Sequence, residues 1–333
     1  MGKTHLGMEL DSQRNLCGGS PSVKTRRDFI GMMAGSACFF SAPLRSWAAP
    51  HALAPLNVQR YEVKVGLDKP FSALHVSDTH LAYCDRRENA RKVDLAMRRY
   101  SEMRHAEHYL DESLRYAADH DLPILHTGDL IDFTSQANYE AVSEHLAGRD
   151  VLICAGNHEF SQYVGEAKED AAYKAQSFAA VQAHYPNDLT FASKVINGVN
   201  FLAVDDVYYD FTAMQCERLE EEIKRGLPIV ILCHVPLYSP GLHARQLARR
   251  GGACADLCGT PDDKLGSDAR LADRQRANAT TRAFVERLRG EKLVRAILCG
   301  DLHIRETDSF SPTANTYVAG ANYLGHAQVM TFV

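Results

Sequence analysis

Gly128-Asp129-Leu130-Ile131-Asp132 follows the apolar run 123–125, so this stretch is predicted to lie where a buried strand ends in a loop. It places two carboxylates three residues apart after a glycine. Carboxylate oxygens bind hard divalent cations, and one carboxylate can lie between two cations while another orients a neighbouring group. Taken alone, the stretch fits an ordinary solvated turn equally well, because Gly-Asp turns are common. Whether this stretch is a turn or a metal site therefore depends on the other motifs of the chain.

Four further apolar runs end in the same kinds of residue. They lead into Ser77-Asp78-Thr79-His80, Gly156-Asn157-His158-Glu159, His234, and Gly300-Asp301-Leu302-His303. Each of these ends could be a capped turn or a histidine at the edge of the core. In open α/β sheets, however, ligands bind outside the carboxyl ends of the strands, so five such ends are expected to converge. Their succession favours a metal site.

The order and spacing of these groups resemble the calcineurin-like metallophosphoesterase superfamily over roughly residues 70–310. The resemblance implies an α/β fold, a four-layer α/β/β/α sandwich of two mixed sheets, with two divalent metal ions at the strand ends. Asp129 would bridge the two ions. The implied ligands, in chain order, are Asp78, His80, Asp129, Asn157, His234, Asp301 and His303.

The same resemblance implies the chemistry. A hydroxide that bridges the two ions would attack a small phosphomonoester or phosphodiester, and His158 would protonate the leaving oxygen. Asp132 would orient His158 as a general acid. The expected partner is therefore a small phosphorylated substrate.

Position 301 departs from the family pattern, because most members have Gly-His-x-His where this chain has Gly300-Asp301-Leu302-His303. Replacing a neutral nitrogen with an anionic oxygen favours manganese, iron or magnesium over zinc. The alternative is that Asp301 misses the second ion. The chain would then be a degenerate member that binds metal or a phosphorylated ligand without turnover.

Residues 1–48 have the features of an export signal. The pair Arg26-Arg27 precedes a modestly apolar run, 29–44, and small residues follow at 46–49. This resembles a twin-arginine signal peptide, which predicts recognition by the twin-arginine export machinery and a periplasmic or exported location. An uncleaved membrane anchor is the minor alternative. Residues 49–333 are predicted to form a single phosphoesterase domain, with an irregular excursion near 238–275.

Charge argues against a polyanionic partner. The net charge is −5, and residues 1–48 contribute +3, which leaves −8 for the remainder. A chain this acidic lacks the basic surface that binds nucleic acid or an anionic membrane. We therefore expect no nucleic acid and no stable membrane association, while the oligomeric state is not predicted.

Seven of the nine cysteines follow the predicted signal. Cys154, Cys233 and Cys299 close apolar runs and are interpreted as buried hydrophobic residues. Among those in polar sequence, a disulfide between Cys254 and Cys258 is predicted, because the periplasm is oxidising, and a zinc knot is the weaker alternative.

Hydrophobic periodicity predicts a long amphipathic helix, in one or two parts, over residues 87–118. Further helices are predicted over 136–146, 167–184, 213–224 and 277–288. The tail, 307–333, is expected to form antiparallel strands.

Overall fold

The computed structural model describes residues 53–163 and 170–333, so the predicted signal lies outside the described residues. The strands of the described chain are β1 Asn57–Val63, β2 Phe71–Val76, β3 Ile124–His126, β4 Val151–Ile153, β5 Phe191–Ile196, β6 Val199–Val204, β7 Ile229–Leu232, β8 Val294–Cys299, β9 Glu306–Ser309, β10 Asn315–Val318 and β11 His326–Phe332.

Its α-helices are α1 Ala90–Glu102, α2 Ala106–Asp119, α3 Gln136–Leu146, α4 Ala171–Gln182, α5 Ala213–Ile223, α6 Pro240–Arg249, α7 Ala269–Gln275 and α8 Ala279–Gly290. Side-chain caps fix several of their starts, as where Ser135 accepts a hydrogen bond from the backbone N–H of Asn138 at the start of α3. The region predicted as a long amphipathic helix is two helices, α1 and α2, which meet at a short break near Met103.

The strands form two mixed sheets. One has the order β1-β11-β2-β3-β4, and the other has the order β5-β6-β7-β8-β10-β9. Strands β2, β3 and β4 run parallel with Val76, His126 and Ile153 in register. Strands β7 and β8 are also parallel, with Leu232 opposite Leu298. The carboxyl ends of these five strands therefore lie level along one edge of each sheet.

Alternation along the strands builds three apolar layers. Leu125 and Val230 point into a layer between the two sheets. Their neighbours Ile124 and Ile231 point outward, where the first packs in a cluster with α1 to α4 and the second in a cluster with α5, α6 and α8. Because side chains alternate between faces, each sheet is covered on both sides. The predicted four-layer α/β/β/α sandwich is confirmed.

Two expectations for residues 238–275 are wrong. Instead of an irregular excursion, the segment contains α6 and α7, and its residues Leu242, Leu257 and Cys258 join the outer apolar cluster of the second sheet. The disulfide is also absent, because Cys254 and Cys258 are both free and buried. The Cys254 thiol instead lies 3.3 Å from Asp256 Oδ1, and burial raises the pKa of both thiols.

The tail is antiparallel only in part. Strand β9 pairs antiparallel with β10, but β10 pairs parallel with β8. Strand β11 lies between β1, to which it is parallel, and β2, to which it is antiparallel. Within the described residues, no helix has the length and apolar content needed to cross a bilayer.

Candidate metal centre

The turns after the strands hold their residues in an uncommon backbone conformation. Five of the seven predicted ligands have positive φ angles: Asp78 55°, His80 54°, Asp129 55°, Asp301 64° and His303 54°. Non-glycine residues adopt this left-handed conformation at a cost of about 1–3 kcal/mol, and such residues cluster at functional sites. The conformation of these turns therefore lowers the stability of the fold, and it directs these side chains toward one site.

Two glycines let the turns approach each other closely. A Cβ at Gly128, where φ is +87°, would lie 2.6 Å from the backbone nitrogen of Gly156. A Cβ at Gly156 would lie 2.1 Å from Asp129 Oδ1. These contacts are too short for any side chain, so glycine at both positions is what brings the ends of β3 and β4 together.

Four predicted ligands form a compact cluster at the edge of the first sheet: Asp78, His80, Asp129 and His303 each offer one atom, and these atoms all lie within 4.8 Å of one another. The Nε2 atom of His303 is 3.1 Å from Nε2 of His80 and 3.3 Å from Asp78 Oδ1. Nε2 of His80 is 3.6 Å from Asp129 Oδ2. In an octahedral shell with bonds of about 2.1 Å, neighbouring ligand atoms are about 3.0 Å apart, so the cluster has the dimensions of a single-cation site.

The second ligand group lies on the other side of Asp129. Nε2 of His234 is 3.3 Å from Asp129 Oδ2 and 3.6 Å from Asp301 Oδ1. Asn157 and Asp301 line one pocket at this end of the site. Asp129 Oδ2 therefore lies between His80 of the first group and His234 of the second, the position that a bridging carboxylate requires.

The buried atoms of the two groups also fit cations. Asp78 Oδ2 and His234 Nε2 are both buried, and neither makes a hydrogen bond of good geometry within the described part of the chain, although His234 Nε2 faces Asp129 Oδ2 at 3.3 Å. An unpartnered buried polar atom is costly unless something else satisfies it. The opposite ring nitrogen of His234 lies 2.7 Å from the carbonyl oxygen of Thr127, which is how metal-binding histidines are usually held. The donor set thus fits hard divalent cations.

Asp132 lies behind the cluster. Its carboxylate accepts two hydrogen bonds from Arg99, from Nε and Nη2 at 2.7 Å each, and lies 3.0 Å from His80 Nδ1. Burial raises the pKa of Asp132, but these partners and His158 together hold it well below its usual range. His80 thus presents Nδ1 to Asp132 and Nε2 to the cluster.

His158 stands beside both groups. Its Nδ1 lies 2.8 Å from the carbonyl oxygen of Asp132 and 3.3 Å from the Asp132 carboxylate. Its Nε2 faces Asp129 Oδ2 at 3.9 Å. Two of these contacts are with Asp132, so the residue predicted to orient His158 does touch it. The roles of both residues stay predictions.

Three residues that make hydrogen bonds to the site were not predicted from the sequence. One is Arg99, from α1. Another is Glu159, which is buried and accepts hydrogen bonds from the backbone N–H groups of Asp129, Leu130 and Gly156 and from Tyr185 Oη. The third is Asp206, which accepts from the backbone N–H of His234 at 3.0 Å. The position of Glu159 directly after the Gly-Asn-His motif was a usable signal, whereas Arg99 carries none in the sequence.

Two histidines inside strands are not ligands in this arrangement. His75 lies 2.9 Å from Thr127 Oγ1 and 3.2 Å from Gln328, and His126 lies 3.1 Å from Thr79 Oγ1. Burial lowers the pKa of His75 to about 4 and that of His126 to about 3. Both are therefore neutral, hydrogen-bonded core residues.

Among solved structures, the chain is similar to a dimetal phosphatase from Danio rerio, with 14% identity, 76% of this chain and 88% of that chain covered, and a TM-score of 0.42. It is also similar to a 5'-nucleotidase from Candida albicans, with 13% identity, 81% of this chain and 48% of that chain covered, and a TM-score of 0.38. The chain is similar as well to a phosphopantetheinyl hydrolase from Mycobacterium tuberculosis, with 12% identity, 79% of this chain and 91% of that chain covered, and a TM-score of 0.37.

No curated protein matches the sequence. The sequence profile of the calcineurin-like phosphoesterases, in contrast, matches residues 71–305, which include all seven predicted ligands as well as Asp132 and His158. The match spans well over half of the chain. The chain therefore belongs to the calcineurin-like phosphoesterases, a family of dimetal-dependent hydrolases that act on phosphoester bonds.

Proposed function

We propose that this protein hydrolyses a small phosphomonoester or phosphodiester, with the seven clustered side chains holding two divalent cations and His158 donating the proton to the leaving oxygen. The observation that carries the proposal is the placement of Asp129 Oδ2, 3.6 Å from His80 Nε2 on one side and 3.3 Å from His234 Nε2 on the other. One carboxylate thus serves two ligand groups.

Two divalent cations at these positions would supply the positive charge that a phosphoryl group and an attacking water need. Asp78, His80 and His303 complete the first group around Asp129, and Asn157, His234 and Asp301 complete the second. With three aspartates among seven ligands, the donor set is rich in anionic oxygen, which favours manganese, iron or magnesium over zinc.

His158 is suited to donate a proton. Its Nδ1 donates to the carbonyl oxygen of Asp132 at 2.8 Å, which fixes the ring and turns Nε2 toward the ligand groups. A proton on Nε2 gives the ring a positive charge, and the Asp132 carboxylate 3.3 Å from Nδ1 stabilises that charge. The neutral ring left after proton transfer keeps its hydrogen bond to Asp132, so the geometry survives the step.

The acidic chain supports a small substrate rather than a polymer, since it offers no basic track. We also propose that the protein is exported through the twin-arginine machinery, on the strength of Arg26-Arg27 and the run that follows. Replacing both arginines with lysine should retain the protein inside a bacterial host, and continued export would contradict the proposal.

A metal panel tests the activity. The purified protein is assayed with Mn²⁺, Fe²⁺, Mg²⁺ or Zn²⁺ against 4-nitrophenyl phosphate and bis(4-nitrophenyl) phosphate. We expect turnover of at least one ester with manganese, iron or magnesium. Absence of turnover with every metal, in protein shown to contain the metal, would favour a family member that binds without hydrolysing.

A leaving-group comparison tests His158. The His158→Gln variant should lose more activity toward an alkyl phosphate than toward 4-nitrophenyl phosphate, because 4-nitrophenolate leaves without needing a proton. The matched control is His120→Gln, a surface histidine after α2. Equal losses on both esters would show that His158 is not the proton donor.

A further inference from the structure

A pocket of about 360 Å³ opens beside the second ligand group. That volume lies within the range of about 300–1,000 Å³ that is usual for small-ligand sites. Its lining includes Asn157, Val207, Tyr208, Tyr209, Arg274 and Asp301. Because Asn157 and Asp301 belong to the second ligand group, a phosphoester held there would extend its organic part into this pocket.

The aromatic wall of the pocket is held in place. Tyr209 is buried, with 5% of its surface exposed, and its hydroxyl accepts a hydrogen bond from Arg274 Nη2 at 3.0 Å. The guanidinium carbon of Arg274 lies 5.2 Å from the centre of the Tyr209 ring. The hydroxyl of the neighbouring Tyr208 donates to the carbonyl oxygen of Phe160 at 3.2 Å. Both tyrosines are therefore anchored at their hydroxyls.

The chemistry of this wall selects for a flat group. The half-buried ring of Tyr208 and the exposed guanidinium plane of Arg274, which itself lies over the buried Tyr209 ring, present flat surfaces on which planar rings stack. The side chains of Val207 and Val235 offer no hydrogen bonds, so the part of the lining that they form favours the face of an apolar ring over the hydroxyl groups of a sugar or glycerol. Arg274 uses one of its five N–H groups on Tyr209, so others can bond to acceptors on a ring edge.

We propose that this pocket receives a planar aromatic ring carried by the organic group of the phosphoester, with Arg274 as a specificity-determining residue. The proposal rests on the proposed function. Arg274 is supplied by α7, in the segment that replaces the expected irregular excursion. That segment therefore contributes to substrate selection as well as to the core.

Two substrates that differ only by a ring test the proposal. Adenosine 5'-monophosphate and ribose 5-phosphate share the phosphate and the primary alcohol that leaves, so the ratio of their kcat/KM values reports the base alone. Stacking one base on an aromatic side chain changes binding by about 5- to 150-fold. We expect a ratio of at least about fivefold in the metal-loaded protein.

Two variants on α7 test whether Arg274 causes the preference for the base. Arg274→Gln should lower the ratio by about 2- to 5-fold, because it removes the guanidinium plane while the ring of Tyr208 remains. Arg270→Gln removes an exposed arginine from the same helix outside the pocket and should leave the ratio unchanged. A ratio near one in the unmodified protein, or one that Arg274→Gln leaves intact, overturns the proposal. Because both esters carry the same phosphate, a general effect of Arg274 on charge or metal binding cancels.

A binding arm separates this proposal from the proposed function. Calorimetry with adenosine and with ribose needs no turnover, and adenosine should bind at least about fivefold more tightly, with the difference reduced in Arg274→Gln. If neither ester is hydrolysed but adenosine is preferred, the hydrolytic function fails and the pocket stands. If both esters are hydrolysed alike and adenosine is not preferred, the pocket fails and hydrolysis stands.

Discussion

The substitution Asp132→Asn separates a positioning role from a ligand role. Asp132 Oδ2 accepts from Arg99 Nε at 2.7 Å, and Oδ1 accepts from Arg99 Nη2 at 2.7 Å and lies 3.0 Å from His80 Nδ1. Asparagine keeps the size and one oxygen, but its amide group turns a donor toward Arg99. It also removes the negative charge 3.3 Å from His158 Nδ1.

The expected magnitude follows from these contacts. Losing a partner that holds active-site histidines typically costs about 10- to 100-fold in activity. We therefore expect kcat to fall by about that factor while KM changes little. The cost to folding should be near the lower end of about 1–3 kcal/mol, because the Arg99 side chain is 22% exposed and can turn to water.

The assay combines steady-state kinetics with metal analysis. Asp132→Asn should retain nearly the metal content of the unmodified protein, whereas the matched variant Asp129→Asn, which alters the bridging carboxylate, should lose metal. Circular dichroism checks that both variants fold. If Asp132→Asn loses metal to the same extent as Asp129→Asn, Asp132 is a ligand and the positioning role is refuted.

Three further predictions test other parts of the account. Asp301→His should raise the affinity for zinc relative to manganese, since nitrogen is the softer ligand; an unchanged ratio by competitive metal titration would show that position 301 does not reach the ion. Glu159→Gln should cost about 1–3 kcal/mol in urea unfolding, because the carboxylate accepts hydrogen bonds from five buried donors, the backbone N–H groups of Asp129, Leu130, Ile131 and Gly156 and the hydroxyl of Tyr185, and a cost below about 0.5 kcal/mol would contradict this. Leu125→Ala should cost about 2–5 kcal/mol, since Leu125 is fully buried between the sheets, while Leu324→Ala, at a position 54% exposed, should change stability by less than about 0.5 kcal/mol; equal effects would contradict the layered core.

The features predicted best from the sequence are those that depend on the local pattern of residues. Helix α3 has the predicted bounds, 136–146, because its capping residue and the spacing of its apolar residues are local signals. The five strand ends were recognisable because each pairs an apolar run with a polar motif. Their convergence then followed from the general rule for the carboxyl ends of strands, which the parallel registers of the two sheets satisfy.

Contacts between distant residues were beyond this reasoning. Arg99 reaches Asp132 across 33 residues and leaves no trace in local spacing. Likewise, β1 pairs with β11 from the opposite end of the described chain. The disulfide prediction failed for a related reason, since the spacing of Cys254 and Cys258 says nothing about whether their side chains face each other.

We propose that one chain holds two divalent cations through Asp129 and the two groups of predicted ligands that flank it. The most direct test is the metal content of the protein after loading with manganese and removal of free metal, measured by mass spectrometry of the digested protein. We expect two ions per chain, and one ion per chain in Asp301→Ala. A single ion per chain in the unmodified protein would contradict it.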